Sequence, residues 1–410
     1  MMATLSVAPA DPYGLLSPQI FQSPHESYHL LRHADPVHWH EATASWILTS
    51  YADISHLINR PDLLSSAERR GAARRRLAGE RFKAMTVVDD YLRDWVLDLD
   101  PPRHTVIRQR LNRWFTAKAL RPLQPRMRTL ASELAAEFVA RGGGDVVSGY
   151  AHPFPVRMIA EIVGVPDDDH PRLLDWFARL SLFFERGAGS LPIVADAAVV
   201  IGEVDGWLER LIEIRRLQPR DDIISGLAAG EVPELSERGI RSTILLLLFG
   251  GHESSRATIA NGILALLQSP RELARLRQYP DLIEPGIEEF LRFDGPFMRQ
   301  DRLAILDFEV GDRRIRAGDR VVLVLGAGNR DPARFHAPDI LILDRPANQH
   351  LAFGHGIHFC LGSRLARIEI AIAIQALIAA APGLQIGPGG YRWREHFNNR
   401  GLAHLDLVAN

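Results

Sequence analysis

Residues 235–268 read as one unbroken helix that stops at Ser269-Pro270. At about 1.5 Å per residue, such a helix crosses a whole domain. The rest of the chain must then be arranged around it. Residues 117–291 read mostly as helix. Apolar residues recur at helical spacing over 127–139 and again over 155–163. There Pro155 suits a first turn and Gly164-Val165-Pro166 ends the run. Strand signals sit at two places. Val37-His38-Trp39-His40 and residues 46–50 predict a hairpin near the N-terminus. Residues 308–315 and 320–325 predict a second pair around a turn at Ala317-Gly318. Gly142-Gly143-Gly144 reads as a short turn and residues 187–190 as a mobile loop tip. There is no repeat and no long linker. The expected class is mainly α with small β-sheets, as a single large domain over 11–410 behind a flexible stretch at 1–10.

Composition narrows function by exclusion. The chain has 410 residues, with 48 Lys+Arg against 50 Asp+Glu and a net charge of -2. It has no overall pull toward nucleic acid. The strongest apolar run, 243–249, is cut off by Gly250, Gly251, His252 and Glu253. It falls short of the roughly 20 apolar residues that span a membrane. Residues 1–18 lack a basic start followed by an apolar stretch, so a cytoplasmic chain is expected. Lysine occurs only at Lys83 and Lys118, so nearly every positive charge is a guanidinium able to grip an anion bidentately. The single cysteine rules out an intrachain disulfide framework and any multi-cysteine metal site.

That cysteine, Cys360, lies in Phe353-Gly354-His355-Gly356-Ile357-His358-Phe359-Cys360-Leu361-Gly362. A lone cysteine beside a turn is ordinarily buried and inert. Here glycines at 354, 356 and 362 bracket the sulfur, and a helix over 363–379 is expected to follow. Glycine permits positive φ and close backbone approach, so such a loop can wrap a sulfur with its N–H groups pointing inward. A thiolate near a helix start is stabilised by those amides and by the positive helix end. It suits an iron ligand tuned by hydrogen bonds to the sulfur.

Phe353, Gly354, Gly356, His358, Cys360 and Gly362 together resemble the haem-binding loop of the cytochrome P-450 family of haem-thiolate monooxygenases. The resemblance extends from about Asp11 to the end of the chain. It implies the P-450 fold, with the long central helix lying across the haem. It implies haem b (iron protoporphyrin IX) as cofactor and Cys360 as the metal ligand, with Phe353 and Gly362 in the cofactor loop and His358 near a haem propionate.

Other motifs carry weight of their own. Gly250-Gly251-His252-Glu253-Ser254-Ser255 places two glycines inside the long helix, where each costs about 1 kcal/mol relative to Ala. A kinked core helix with a solvated Glu would account for them. So would a flat ligand face that needs missing side-chain volume, beside an acid and a hydroxyl that relay protons. The second reading resembles the family's oxygen-activation motif, with Glu253 as the acid and Ser254 where most members carry threonine. Glu289 and Arg292 sit at i, i+3. Alone they read as a surface pair of little worth. By resemblance they are a buried structural pair. The basic residue that many members carry in the later meander is absent from Ile340-Leu341-Ile342-Leu343-Asp344-Arg345. Arg345 survives downstream, and how the meander is clamped stays open. His104 and Arg108 share one face of a helix that follows Asp100-Pro101-Pro102, which suits a partly exposed basic helix or a carboxylate site. Resemblance points them at the haem propionates, together with Arg302.

The resemblance implies insertion of one O2-derived oxygen atom into a small organic substrate, by hydroxylation or epoxidation, in bacterial secondary metabolism. No dinucleotide fingerprint or ferredoxin cysteines are present. Electrons from NAD(P)H are therefore expected through a ferredoxin and a ferredoxin reductase. Arg110, Arg113, Arg364 and Arg367 could form a docking face for an acidic ferredoxin or be scattered surface charges. A monomer is expected. Leu247, Gly250, Phe297, Arg299 and Leu402 are the candidate substrate contacts. Arg299, if turned toward the haem, or Arg74-Arg75-Arg76 would favour an anionic or polar substrate; the triple arginine also reads as a solvated loop. Peroxide-driven or atypical oxidative chemistry, a non-catalytic haem sensor and a cysteine hydrolase using His355 or His358 are the competing readings. The hydrolase suffers from poor geometry within one tight loop.

Overall fold

The computed structural model describes residues 11–67, 77–186 and 190–409. Residues 1–10, the triple arginine at 74–76 and positions 187–189 lie outside the described residues. The long helix runs Glu237–Leu267 and is called the central helix below. Ser236 caps it by accepting the Gly239 N–H at 3.1 Å, which satisfies one of the free donors of the first turn. Pro270 opens the next helix, Pro270–Gln278, so the stop anticipated at Ser269-Pro270 is where the chain turns. No helix among the described residues is long and apolar enough to cross a membrane.

The central helix is buried along most of its length, within one apolar core that also takes in the helices Gly79–Leu92, Gln124–Ala140, Pro153–Val163, Leu191–Leu217 and Ser363–Ala380. Gly251 lies where the helix Pro153–Val163 crosses. A Cβ there would stand 2.6 Å from Cγ1 of Ile159. Near the N-terminal end, Trp95 Nε1 donates to the Ser242 carbonyl at 2.9 Å, and Ser242 Oγ donates to the Tyr91 carbonyl at 2.6 Å. At the other end the cysteine helix, Ser363–Ala380, packs so closely that a Cβ on Gly262 would meet Ile374 and Phe290 at 3.1–3.2 Å.

The strands are β1 (Val37–His40), β2 (Ser45–Leu48), β3 (Leu64–Ser65), β4 (Gly143–Asp145), β5 (Gln300–Ala304), β6 (Phe308–Val310), β7 (Arg313–Ile315), β8 (Arg320–Leu323), β9 (Gln385–Trp393) and β10 (Leu402–Val408). They form sheets of order β1-β2-β8-β5-β3, β4-β10-β9 and β6-β7. The N-terminal hairpin is present in the register Val37↔Leu48. The second expected pair is not. Residues 308–315 fold back on themselves at Gly311, whose φ of 59° permits the tight turn, to make β6 and β7. β8 instead pairs in parallel with β2 and antiparallel with β5. The triple glycine is also more than a turn. Gly143 enters β4, where a Cβ would lie 2.1 Å from the Leu407 carbonyl oxygen, so only glycine lets β10 approach.

The later meander is held by a buried charge cluster. Glu289 and Arg292 are both 0% exposed and joined by two bonds of 2.7 and 2.8 Å. Arg345 Nε reaches both Glu289 oxygens at 3.0–3.1 Å, while its other nitrogens bind the carbonyls of His336, Ala337 and Ile340. Arg292 binds the carbonyls of Asn329 and Pro338 at 2.9 and 2.8 Å. Arg345 thus supplies the clamp that the apolar stretch before it lacks.

Breaking a buried ion pair by removing one partner costs about 3–5 kcal/mol. Arg345→Leu should lower the unfolding free energy from urea titration by that order, with a lower midpoint, as Glu289→Gln should. A wild-type midpoint in Arg345→Leu would take Arg345 out of the clamp.

Candidate active site

The cysteine loop is shaped by two left-handed glycines, Gly354 and Gly356, each at φ 67°. A Cβ on Gly356 would run into Asn59 Oδ1 at 2.7 Å. The Cys360 N–H donates to the Phe353 carbonyl at 2.9 Å, and the Phe359 N–H to the Gly356 carbonyl at 3.1 Å, which closes the loop on itself. Cys360 as a whole residue is half-buried. Desolvation pushes it above the ordinary thiol range, while the Gly362 N–H and the charges of Arg108 and Arg367 pull it back. Gly362 stands at the cap of the cysteine helix, so the sulfur lies just outside a positive helix end.

A basic cluster adjoins the sulfur. His104 is 2% exposed and packs at a tilt against His358, with ring centroids 4.4 Å apart. Both ring nitrogens of His104 are buried without a hydrogen-bond partner among the described residues. Arg108 donates to the Phe359 carbonyl and, at 3.1 Å, to Asn112 Oδ1. Arg302 is buried and binds Gln300 Oε1 and the Asp301 carbonyl. Burial, then the charges of Arg302, His104 and Arg108, drive His358 down to about 3. Its Nε2 lies 3.1 Å from Ser66 Oγ. His104, Arg108 and Arg302 thus converge on His358, two residues before the thiol.

On the central helix the paired glycines have different reasons. Gly251 admits Ile159, whereas Gly250 is exposed in mid-helix and an added Cβ would meet only Leu246 Cδ1 at 3.9 Å. One glycine permits packing and the other keeps a face open. Ser254 Oγ faces the Gly250 carbonyl at 3.5 Å, too long to fix the hydroxyl. Glu253 is not a free acid. Its Oε1 is bonded by Arg256 at 2.5 Å and by Arg394, which also pairs with Glu185 at the end of the helix His170–Arg186. A cavity beside these groups is lined by Glu253, Ser254, Phe297, Arg394, His396 and Asn399. Phe297 is 43% exposed and bridges to Asn399. Leu247 and Leu402, two candidate contacts, are instead packed into the core.

Arg299 departs from the expectation that it faces the cysteine side. Its Nε and Nη2 bind Tyr28 Oη at 3.1 and 3.0 Å, and its guanidinium lies over the rings of Tyr28 and Phe397. Phe297 lines the cavity beside Glu253 and Ser254, whereas Arg299, two residues on, reaches Tyr28 in the helix Pro24–Ala34. Three of the four arginines proposed for docking carry carboxylate partners: Arg110 with Glu234, Arg113 with Glu231 and Arg367 with Glu288. Arg364 is exposed without one among the described residues.

Two functional-looking residues escaped the sequence reading. Arg394 gave no local signal, because its partners lie far away in the chain. Glu369 did give one: it is an acid inside the apolar helix run Ile368-Glu369-Ile370-Ala371-Ile372. It is 0% exposed, accepts Ser255 Oγ–H at 2.8 Å, and burial raises it to about 8. It is therefore a neutral carboxyl at pH 7 between the central helix and the cysteine helix.

A cytochrome P450 family model matches residues 281–380, which hold the Glu289–Arg292 pair and the cysteine loop. The vitamin D(3) 25-hydroxylase of Pseudonocardia autotrophica is 33% identical over 98% of this chain and 98% of its own length. The chain belongs to the cytochrome P450 family. The mycinamicin IV hydroxylase/epoxidase of Micromonospora griseorubida is 35% identical over 76% of this chain and 79% of its own length. A myxobacterial cytochrome P450 solved in complex with myristic acid superposes with a TM-score of 0.86 at 33% identity, over 98% of this chain and 100% of that one. Like other P450s, this chain is a haem b-dependent monooxygenase that inserts one oxygen atom from O2 into an organic substrate. The residues present fit that cofactor. They offer one free thiol, a glycine-opened helix face, and a histidine with two orphaned nitrogens among arginines suited to propionate carboxylates.

The buried acid makes stability depend on pH. Between about pH 4.5 and 8 the native state keeps a Glu369 proton that the unfolded chain has lost, so stability falls as pH rises through that window. Each pH unit there carries up to about 1.4 kcal/mol. Glu369→Gln should flatten the fall in melting temperature between pH 5 and pH 8. Parallel wild-type and variant curves would show that Glu369 is ionised in the native state.

Proposed function

We propose that Cys360 would hold the haem through its sulfur, that Phe353 and Gly362 shape its loop, and that His104, Arg108, Arg302 and His358 would hold the propionates. The observation that carries this reading is the half-buried Cys360, its thiol met by the Gly362 N–H and two guanidinium charges beside an orphaned histidine. Bound haem would supply O2 activation with a thiolate that favours O–O cleavage. The chain's part is to deliver protons, exclude water and place the substrate.

Ser254 Oγ is the nearest hydroxyl to the open face at Gly250 and serves as the last proton donor. Glu253, one residue earlier, relays to it a proton taken up from water. Arg256 and Arg394 keep that carboxylate turned toward the wall of the cavity. Ser254 lacks the methyl that would restrain χ1, so its hydroxyl must be oriented by water or substrate. The substrate lies against Gly250 and Phe297, with Glu289 and Arg292 acting only through the fold. Hydroxylation or epoxidation within bacterial secondary metabolism is the role that the mycinamicin relative supports.

Bacterial members generally take electrons from a ferredoxin and its reductase. For this chain the same supply from NAD(P)H, in the cytoplasm and to a monomeric enzyme, is the reading we adopt. Its docking face is less positive than the arginine count implies. Arg364 and the Arg108 side of the loop carry the charge that Glu231, Glu234 and Glu288 do not neutralise.

The reduced protein with carbon monoxide should show the red-shifted carbonyl band of thiolate coordination, and Cys360→His should lose it while retaining haem. A wild-type preparation with haem but no such band would end this reading. Ser254→Ala should reduce product formed per NAD(P)H by about tenfold or more, with hydrogen peroxide appearing instead. Unchanged coupling would remove Ser254 from proton delivery.

A further inference from the structure

Behind the residues that close the Ser254 cavity lies a second cavity. Arg394, His396 and Asn399 belong to both, so they form a shared wall. On the far side the lining includes Tyr28, Arg299, Trp393 and Arg400, and it contains no aspartate or glutamate. Arg400 is paired with Asp294 at 2.5 Å, and Arg394 with Glu185 and Glu253. Arg299 has no carboxylate partner among the described residues. Its hydrogen bonds go to one neutral phenol, and its faces meet two aromatic rings. His396 adds no charge, since burial and Arg394 drive it down to about 4, and its Nδ1 accepts the N–H groups of Asn398 and Asn399.

A partly desolvated guanidinium without a counter-charge is costly, and a carboxylate matches its fork bidentately. The aromatic rings suit the carbon chain that such a group would carry. We propose that this second cavity binds the carboxylate end of an elongated substrate, with Arg299 as its principal donor and the oxidised end beside Ser254. The proposal rests on the Ser254 cavity being the oxidation site, and it names the substrate class as a long-chain organic acid. Arg299 acts by fixing the distance from the acid group to the oxidised carbon.

The test uses the haem-loaded enzyme and a matched pair of probes, tetradecanoic acid and tetradecan-1-ol. Binding is followed by calorimetry and by the shift of the main haem band. In the wild type the acid should bind about tenfold or more tighter than the alcohol. Arg299→Leu should abolish that preference by weakening the acid alone, and Arg299→Lys should restore most of it. Equal binding of acid and alcohol to the wild type, or equal weakening of both by Arg299→Leu, would overturn the proposal. Sodium acetate and sodium chloride separate a substrate carboxylate from a free anion. Competition by acetate against tetradecanoate, lost in Arg299→Leu, supports the subsite. Acetate or chloride raising the melting temperature through Arg299 while acid and alcohol bind alike means a free-anion site only, and overturns it. Arg299-dependent acid preference in calorimetry with no band shift would keep the subsite and reject the Ser254 cavity as the oxidation site.

Discussion

The separation between the central helix and the cysteine loop is set from one end. At Gly262 the two helices touch through Ile374, and at Ser255 a hydroxyl reaches the buried Glu369 of the cysteine helix. Toward Gly250 there is no such tie, and that glycine is exposed while Cys360 is partly exposed. A flat cofactor needs such a wedge, closed by packing at the thick end and kept open by a missing side chain at the thin end. The second glycine fixes the opposite face, because Ile159 occupies the space where a Gly251 Cβ would be. The helix is thus held between two neighbours, at a height determined by two absent methyl groups.

Charge is arranged around this wedge in three separate compartments. Near the thiol, Arg108 and Arg367 favour an anionic sulfur without bonding to it. Under the meander, Glu289 is satisfied by two guanidiniums, the Asn348 amide and the Ile342 N–H, so a fully buried carboxyl group is left with no open valence. Beside Ser254, two glutamates and two arginines balance one another. The cavity behind that last cluster keeps an excess of positive charge at Arg299.

Local chemistry made much of this legible. The cysteine loop could be read because glycines at fixed places announce a backbone conformation before any tertiary contact exists. The central helix could be read because its period runs far longer than any strand. What escaped depends on distant partners. Nothing near residues 320–323 says that β8 will lie between β2 and β5, when a turn offers residues 308–315 as a closer mate. Arg299 was legible as an unusual charge but not as a side chain turned toward Tyr28, a partner far away in the chain. Arg345 was visible as a residue without a role, and only the folded meander brings it to Glu289.

Arg394 shows how one residue can tie these parts together. It follows β9, reaches Glu253 on the central helix and Glu185 on the helix His170–Arg186, and stands in the wall between two cavities. A single guanidinium shared by two carboxylates divides its hydrogen bonds between them, so displacement of either acid strengthens its hold on the other. The position of the helix end carrying Glu185 and the freedom of Glu253 are therefore one variable rather than two. A substrate long enough to touch both cavities must pass this residue. The proton donor and the depth of substrate insertion are then governed by the same side chain.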